Sequence, residues 1–404
     1  MLIDGTGKKA IENSTVIVEN EKIIYAGKIQ KDIQDCEIIN IEGKTIMPGL
    51  IDAHLHFSGN LSDNDSDWVM EPNTQKAIMA SVQAKECLDG GLTTVGEISR
   101  FGINIRDMIE EGLICGPRVV ASGVGFCATA SHGDSHHCTK EQNETSHPWA
   151  KCVDGPWDLR KAIRERLRDN PDAIKIWVTG GGIWRWDTSV HQHYSYEEVE
   201  AAVNECHLRE VPLWAHCMGS AYNSVKAGAD FIIHGTYLDD ETLDMMAKKN
   251  IALCPTINFL PDWYKVYPVP YVPELHDKYD GETVYEKELN RTYDNLKRAK
   301  AKGILLTIGS DSFCSSLTPF AKTTMGEIID FVEKAEISNM DTICAATLNG
   351  AKALKVDDIT GSLEKGKFAD LIVLNGDPLK NIRCMNCEDL KIVMKQGYIY
   401  KNTL

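Results

Sequence analysis

Residues 47–57 read Met-Pro-Gly-Leu-Ile-Asp-Ala-His-Leu-His-Phe, and an apolar run, Leu50 to Ala53, delivers His54 and His56 at its carboxyl end. In a strand, residues two apart share a face, so both imidazoles can reach one metal ion. Neutral imidazole is the commonest metal ligand, and a His-x-His pair at a strand end suits zinc or a similar transition metal. Alone, the pair is equally two polar residues opening a loop. Whether further ligand types close later strands decides between these readings.

They do. Val211-Pro-Leu-Trp-Ala-His216 ends on His216, Ala229-Asp-Phe-Ile-Ile-His-Gly235 carries His234, and Ile304-Leu-Leu-Thr-Ile-Gly-Ser-Asp311 ends on Asp311. Ala173-Ile-Lys-Ile-Trp-Val-Thr-Gly180 is a β-branched run with Lys175 in its middle. A lysine is rarely buried without a partner. Two explanations stand: a salt bridge inside the fold, or an amine made neutral that takes up carbon dioxide as a carbamate able to bridge two cations.

The middle of the chain alternates strand-like runs with amphipathic segments, the pattern of parallel βα units. Candidate strands are 45–54, 93–98, 118–122, 173–178, 212–216, 231–234, 252–254 and 305–311. Residues 195–209 form a helix, with Tyr196, Val199, Val203 and Cys206 on one face and Ser195 with Glu198 as a capping box. Eight such units predict an α/β fold, a TIM (β/α)8 barrel, whose site lies at the carboxyl ends of the strands. The ligand candidates sit there, on strands one, four, five, six and eight, with Lys175 deeper. Both termini are rich in short β-branched runs separated by turns: 14–18, 22–25, 37–40, 371–374 and 391–400. Residues 1–47 and 360–404 are therefore expected to form one discontinuous small β domain, with the (β/α)8 barrel at 48–359.

The order His-x-His, strand lysine, His, His, Asp resembles the amidohydrolase superfamily, in its two-metal form with a carboxylated lysine. The resemblance spans nearly the whole chain, and it implies that the domain made by residues 1–47 and 360–404 is a β-sandwich and that the barrel at 48–359 is a metal-dependent hydrolase. Its marks are residues 48–56, Gly90-Gly-Leu-Thr-Thr-Val95, Ile174-Lys-Ile176, His234-Gly235, Ser310-Asp311 and residues 361–374. Within the superfamily the chain looks most like the imidazolonepropionase-related, prolidase-like branch. The resemblance implies that His54, His56 and Asp311 hold one divalent metal, expected to be zinc, that His216 and His234 hold the other, and that the Lys175 carbamate bridges them. It also implies attack by a metal-bridging hydroxide, with Asp311 as proton shuttle. Dipeptidase relatives carry a His-Gly-Asp after the third strand, which makes His132 the counterpart that contacts substrate; His136, His137 and His147 in the same loop are expected to be solvated. Where such relatives often place a carboxylate-binding tyrosine, two residues after the fifth-strand histidine, this chain has Met218. The amino terminus also starts a strand later than is usual in the family.

After the fourth strand comes Gly180-Gly-Gly-Ile-Trp-Arg-Trp-Asp-Thr188. Three glycines let the backbone approach a ligand closely. Trp184, Arg185 and Trp186 are candidates for substrate contact, Arg185 as a bidentate carboxylate clamp. The other reading packs the tryptophans on the barrel rim.

Composition narrows the function. The 404 residues carry 59 acidic and 43 basic side chains, net −16, which disfavours nucleic acid and anionic membrane surfaces as partners. The 13 cysteines form no regular framework, and Cys384-Met-Asn-Cys387 has no second pair to complete a zinc site. There is no basic leader and no apolar run of the ~18 residues that span a bilayer. The expected protein is cytoplasmic, with a small-molecule substrate and homo-oligomerisation left open. The expected function is hydrolysis of the amide bond of a dipeptide or N-acyl amino acid. The alternatives are cyclic-amide hydrolysis or deamination of a flat ring, and a catalytically inactive scaffold.

Overall fold

The computed structural model describes residues 1–28, 36–183, 186–261 and 284–404. Its strands are β1 (Ser14–Glu19), β2 (Lys22–Lys28), β3 (Thr45–Pro48), β4 (Leu50–Leu55), β5 (Leu92–Glu97), β6 (Arg118–Ala121), β7 (Gly125–Cys127), β8 (Ala150–Cys152), β9 (Ile174–Trp177), β10 (Leu213–Cys217), β11 (Phe231–His234), β12 (Ala252–Cys254), β13 (Leu371–Leu374), β14 (Leu390–Lys395) and β15 (Tyr398–Asn402).

The stretch expected to be the first barrel strand, 45–54, is two strands in two sheets. β3 pairs antiparallel with β13, with Thr45 opposite Leu374. β4 pairs parallel with β5. The chain changes sheets at Gly49, whose N–H donates to Asp370 O at 3.0 Å. A Cβ on Gly49 would lie 2.1 Å from the Thr93 hydroxyl, so only glycine passes here.

The barrel follows from parallel pairing. One arc runs β4-β5-β6, and the other runs β7-β9-β10-β11-β12 with β8 beside β7. The expected third strand, 118–122, is β6, and past Gly123, which has φ +67°, a further strand, β7, follows, so β6 serves one arc and β7 the other. The expected eighth strand, 305–311, forms no continuous ladder. It closes the barrel through single bonds: Leu253 N to Leu305 O (2.9 Å), Thr307 N to Leu253 O (3.0 Å), Ala53 N to Ile308 O and Asp311 N to His54 O (both 2.8 Å). The architecture is a TIM barrel carrying a β unit made by both termini. Strands 4 to 12 are buried almost throughout, as expected for parallel strands covered on both faces. Residues 196–207 form the expected helix, and both halves of the Ser195–Glu198 capping box are made.

In the terminal unit, β15-β14-β13-β3 form one antiparallel sheet and β1-β2 a hairpin beside it. Leu2, Ile23, Ile46, Leu371, Val373 and Ile392 supply its own apolar cluster. Residues 37–40, expected as a strand, form none. Among the described residues no helix is long and apolar enough to cross a membrane.

The two parts are joined by an ion pair. Arg118 on β6 donates Nη1 to Asp370 Oδ2 at 2.6 Å, with side chains 12% and 1% exposed. Asp370 also accepts from Thr360 Oγ1 (2.7 Å) and Gln396 N (2.8 Å). Removing one partner strands a buried charge, which costs ~3–5 kcal/mol. Arg118→Met is therefore expected to lower the urea midpoint sharply, and adding Asp370→Asn should recover part of the loss. Equal midpoints for the single variant and the parent would show that the pair does not hold the parts together.

Candidate metal centre

β4 ends at the imidazoles. Nε2 of His54 and Nε2 of His56 each lie 3.0 Å from Oδ1 of Asp311. Ligand atoms of these three residues lie within 4.8 Å of one another. Asp311 reaches them because residue 311 adopts φ +54° and its N–H bonds to His54 O, which turns the chain inward at the barrel mouth.

Neighbouring strands bring the second group. β10 and β11 place Cys217 opposite His234, so His216 and His234 are adjacent. His216 Nδ1 lies 2.9 Å from His234 Nε2, and His234 Nδ1 lies 2.6 Å from Thr256 Oγ1. His234 Nε2 is 4.0 Å from Asp311 Oδ2, which makes the two groups one site. His234, Thr256 and Asp311 all have positive φ, at +74°, +50° and +54°. Non-glycine residues pay for that conformation, and such strain collects at functional sites.

Lys175, on β9, is buried, and its Nζ has no hydrogen-bond partner among the described residues. Burial pushes its amine down to about 7. Burial also drives His54 and His216 well below the ordinary imidazole range and His234 down to about 3. For Asp311, burial acts in the opposite sense, but the neighbouring imidazoles, His54 foremost, hold its carboxyl well below the ordinary range.

Neutral imidazoles beside a carboxylate are the ligand forms for a divalent ion. The fit is visible in the polar atoms themselves. His56 Nδ1 lies 2.6 Å from Ile98 O and carries a proton there, which leaves Nε2 as the nitrogen that faces the Asp311 carboxylate and can share a cation with it. His54 Nδ1 and Lys175 Nζ, both buried, have no hydrogen-bond partner among the described residues. The donor set suits divalent metal in the position of those contacts.

Above the site lies a cleft lined by His54, His56, His216, Asp311, Trp149, Trp177, Ile183, Met218, Phe259 and Phe313. His132 lines it too, with its ring stacked on His216 at 4.8 Å between centroids. The structure thus gathers His54, His56, His132, His216 and Asp311 around one opening, with His234 behind it against His216 and Asp311, and the charge of Asp311 acts on buried Lys175. Trp186 is not among the lining residues and is 58% exposed. Trp184 and Arg185 lie outside the described residues.

Two features were not read from the sequence. His147, expected to be solvated, is buried, with Nδ1 accepting from Ala150 N at 3.1 Å and its ring edge-on to Trp149. Asp187 is fully buried and bonds His132. Trp149, Phe259 and Phe313 also reach the cleft from loops, where no periodicity announces a facing direction. The signal that was present for Asp187 is its place directly after a glycine-rich turn.

Residues 45–399 match the amidohydrolase family model. The chain belongs to the amidohydrolase family and is a hydrolase acting on carbon–nitrogen bonds. It is 26% identical to ochratoxinase from Aspergillus niger over 99% of this chain and 85% of that protein. The crystal structure of a Xaa-Pro dipeptidase with bound methionine superposes with a TM-score of 0.82 at 28% identity, covering 99% of this chain and 98% of that one. A 5-methylthioadenosine/S-adenosylhomocysteine deaminase from Thermoanaerobacter pseudethanolicus is 23% identical over 91% of this chain and 81% of its own length.

In calorimetric titration of metal-free protein with Zn²⁺, Asp311→Ala is expected to weaken binding by at least about 10-fold, since even outer partners of metal ligands are worth 10–100-fold. Trp186→Ala should leave the isotherm unchanged. Unaltered Zn²⁺ affinity in the Asp311 variant would remove this carboxylate from the metal centre.

Proposed function

We propose that this protein hydrolyses the amide bond of a small substrate that joins an amino acid to a bulky apolar acyl or aminoacyl group. The observation that carries the reading is the meeting, at one barrel mouth, of the His54–His56–Asp311 cluster, the His216–His234 pair and a buried lysine with no hydrogen-bond partner among the described residues. The apolar cleft wall of Trp149, Ile183, Met218, Phe259 and Phe313 supports the substrate class. The ochratoxinase and dipeptidase relatives point the same way.

His54, His56 and Asp311 would hold one divalent ion, His216 and His234 a second, and a carbamate on Lys175 would be their common ligand. Two such ions, zinc by ligand type, supply an acidified water and a polarised carbonyl. The protein's own groups do the rest. Asp311 accepts a proton from the attacking water as its oxygen bonds to the carbonyl carbon. When the carbon–nitrogen bond breaks, Asp311 returns that proton to the leaving amine. His132, at the cleft edge, meets a substrate oxygen. The apolar wall excludes water and orients the acyl group.

A second reading rests on the aromatic lining. Trp149, Trp177, Phe259 and Phe313 would also seat a flat ring, and a deaminase is among the relatives. Lys175 weighs against it, since a bridging carbamate belongs to the two-metal hydrolytic arrangement. Metal-loaded protein assayed against N-acyl amino acids, dipeptides, lactams and aminated purines separates the two. Hydrolysis of apolar acyl amino acids is expected. Ammonia release from rings alone would overturn the amide reading.

Asp311→Asn is expected to fold and to lose roughly 10²–10⁴-fold in kcat, the worth of general acid–base assistance. Near-parental kcat in a fully metallated variant would rule out the proton shuttle.

Carbamate formation needs the neutral amine. Burial lowers the folded-state value of Lys175 from 10.5 to about 7, so the neutral form dominates above about pH 7. At constant dissolved ¹³CO₂, the carbamate ¹³C signal of metal-free protein should therefore rise through about pH 7 and level off above it. A midpoint near 10 would mean the amine is not in the buried setting described.

A further inference from the structure

The glycine run Gly180–Gly182 is built around one carboxylate. Asp187 Oδ1 accepts Gly181 N at 2.9 Å, and its Oδ2 accepts Ile183 N at 2.9 Å. The same Oδ2 lies 2.8 Å from His132 Nδ1. Gly182 N donates to the Asp187 carbonyl at 2.6 Å. The glycines are required by this wrapping. A Cβ on Gly180 would lie 2.5 Å from the Asp187 carbonyl oxygen, and one on Gly181 would lie 2.0 Å from His132 Cε1. Gly182 has φ +91°. The turn thus presents its bare backbone to the His132 ring on one side while two of its N–H groups converge on the carboxylate that holds the ring.

That ring is also stacked on His216, interplanar angle 26°. His132 is therefore pinned by a glycine backbone, a parallel imidazole and a buried carboxylate. A carboxylate behind one ring nitrogen fixes both orientation and tautomer. With Nδ1 donating to Asp187, Nε2 is the nitrogen left to meet anything in the cleft. Among the described residues that line the cleft, none is an arginine or a lysine. The contact of His132 with a substrate oxygen is correspondingly important.

We infer that Asp187 is a positioning residue of this enzyme, acting through His132: it holds the proton on Nδ1 and aims Nε2 at a substrate oxygen. The inference rests on the amide-hydrolase reading for the identity of that substrate. It differs from a merely structural role in one respect. If Asp187 only tied the glycine turn, its loss would cost the same whatever residue stood at 132.

Asp187→Asn, His132→Asn and the double variant, each loaded with Zn²⁺, test this in two ways. An asparagine side chain must turn its NH₂ toward either Gly181 N–H or the Ile183 N–H and His132 pair, so one set of bonds is lost. On the best amide substrate, Asp187→Asn should lower kcat/KM by about 10–100-fold with Zn²⁺ content unchanged. In the His132→Asn background the same change should cost less than about 3-fold. Equal losses in both backgrounds would overturn the inference.

The second measurement needs no substrate. In ¹⁵N-histidine spectra of the Zn²⁺-loaded protein, the signal missing from His132→Asn should be that of an Nδ1–H ring in the parent, and Asp187→Asn should abolish its hydrogen-bonded proton. A parent His132 protonated on Nε2 alone would also overturn the inference. If the parent turns over no amide, the proposed function fails, and the spectra still decide the role of Asp187.

Discussion

The carboxylate of Asp52 is the fastening on which the site depends. It is fully buried, and burial raises its carboxyl to about 6 despite the bonds it accepts. Oδ1 accepts His54 N and Ser310 N, both at 3.1 Å, and Oδ2 accepts Thr324 Oγ1 at 2.6 Å. One side chain therefore fixes the backbone that presents His54, the backbone one residue before Asp311, and the helix Lys322–Glu333 behind them. The seam it closes is the one where the barrel has no regular ladder. Because residues 304–311 are joined to β4 and β12 by isolated bonds, the approach of Asp311 to His54 and His56 is set here rather than by strand pairing.

Burial then does chemical work across the site. The same desolvation that keeps His54, His216 and His234 neutral leaves Lys175 with an amine near 7. Neutral imidazoles and an uncharged amine are what a cation-binding centre requires, and a solvated cluster of the same residues would hold protons instead. The positive φ values at His234, Thr256 and Asp311 are the conformational cost of aiming these groups inward from strand ends.

Much of this was legible in the residues. Strand runs that are apolar from end to end, each closing on His or Asp, identify parallel strands and the end at which chemistry sits. The Ser195–Glu198 capping box located its helix to within two residues at the far end. What escaped notice depends on long-range geometry. The division at Gly49 is invisible in an unbroken apolar run, because it is imposed by Thr93 and Asp370 from distant segments. His147 and Asp187 sit on loops, where polarity suggests solvent and only the folded surroundings reveal burial. The aromatic lining of the cleft likewise comes from loop residues with no periodic partner.

The division at Gly49 also sets an order of assembly. Five residues separate Pro48, the last residue of β3, from His54, and β3 pairs with β13, more than three hundred positions later. The lead into the first ligand strand is thus left without its sheet until residues 371–374 have left the ribosome. Contacts of such sequence separation form late and slowly. The chain's earliest ligands are synthesised first, and the strand that leads into them completes its pairing last, so a nascent or carboxyl-terminally shortened chain holds its histidine strand through β5 but lacks β13 beside β3.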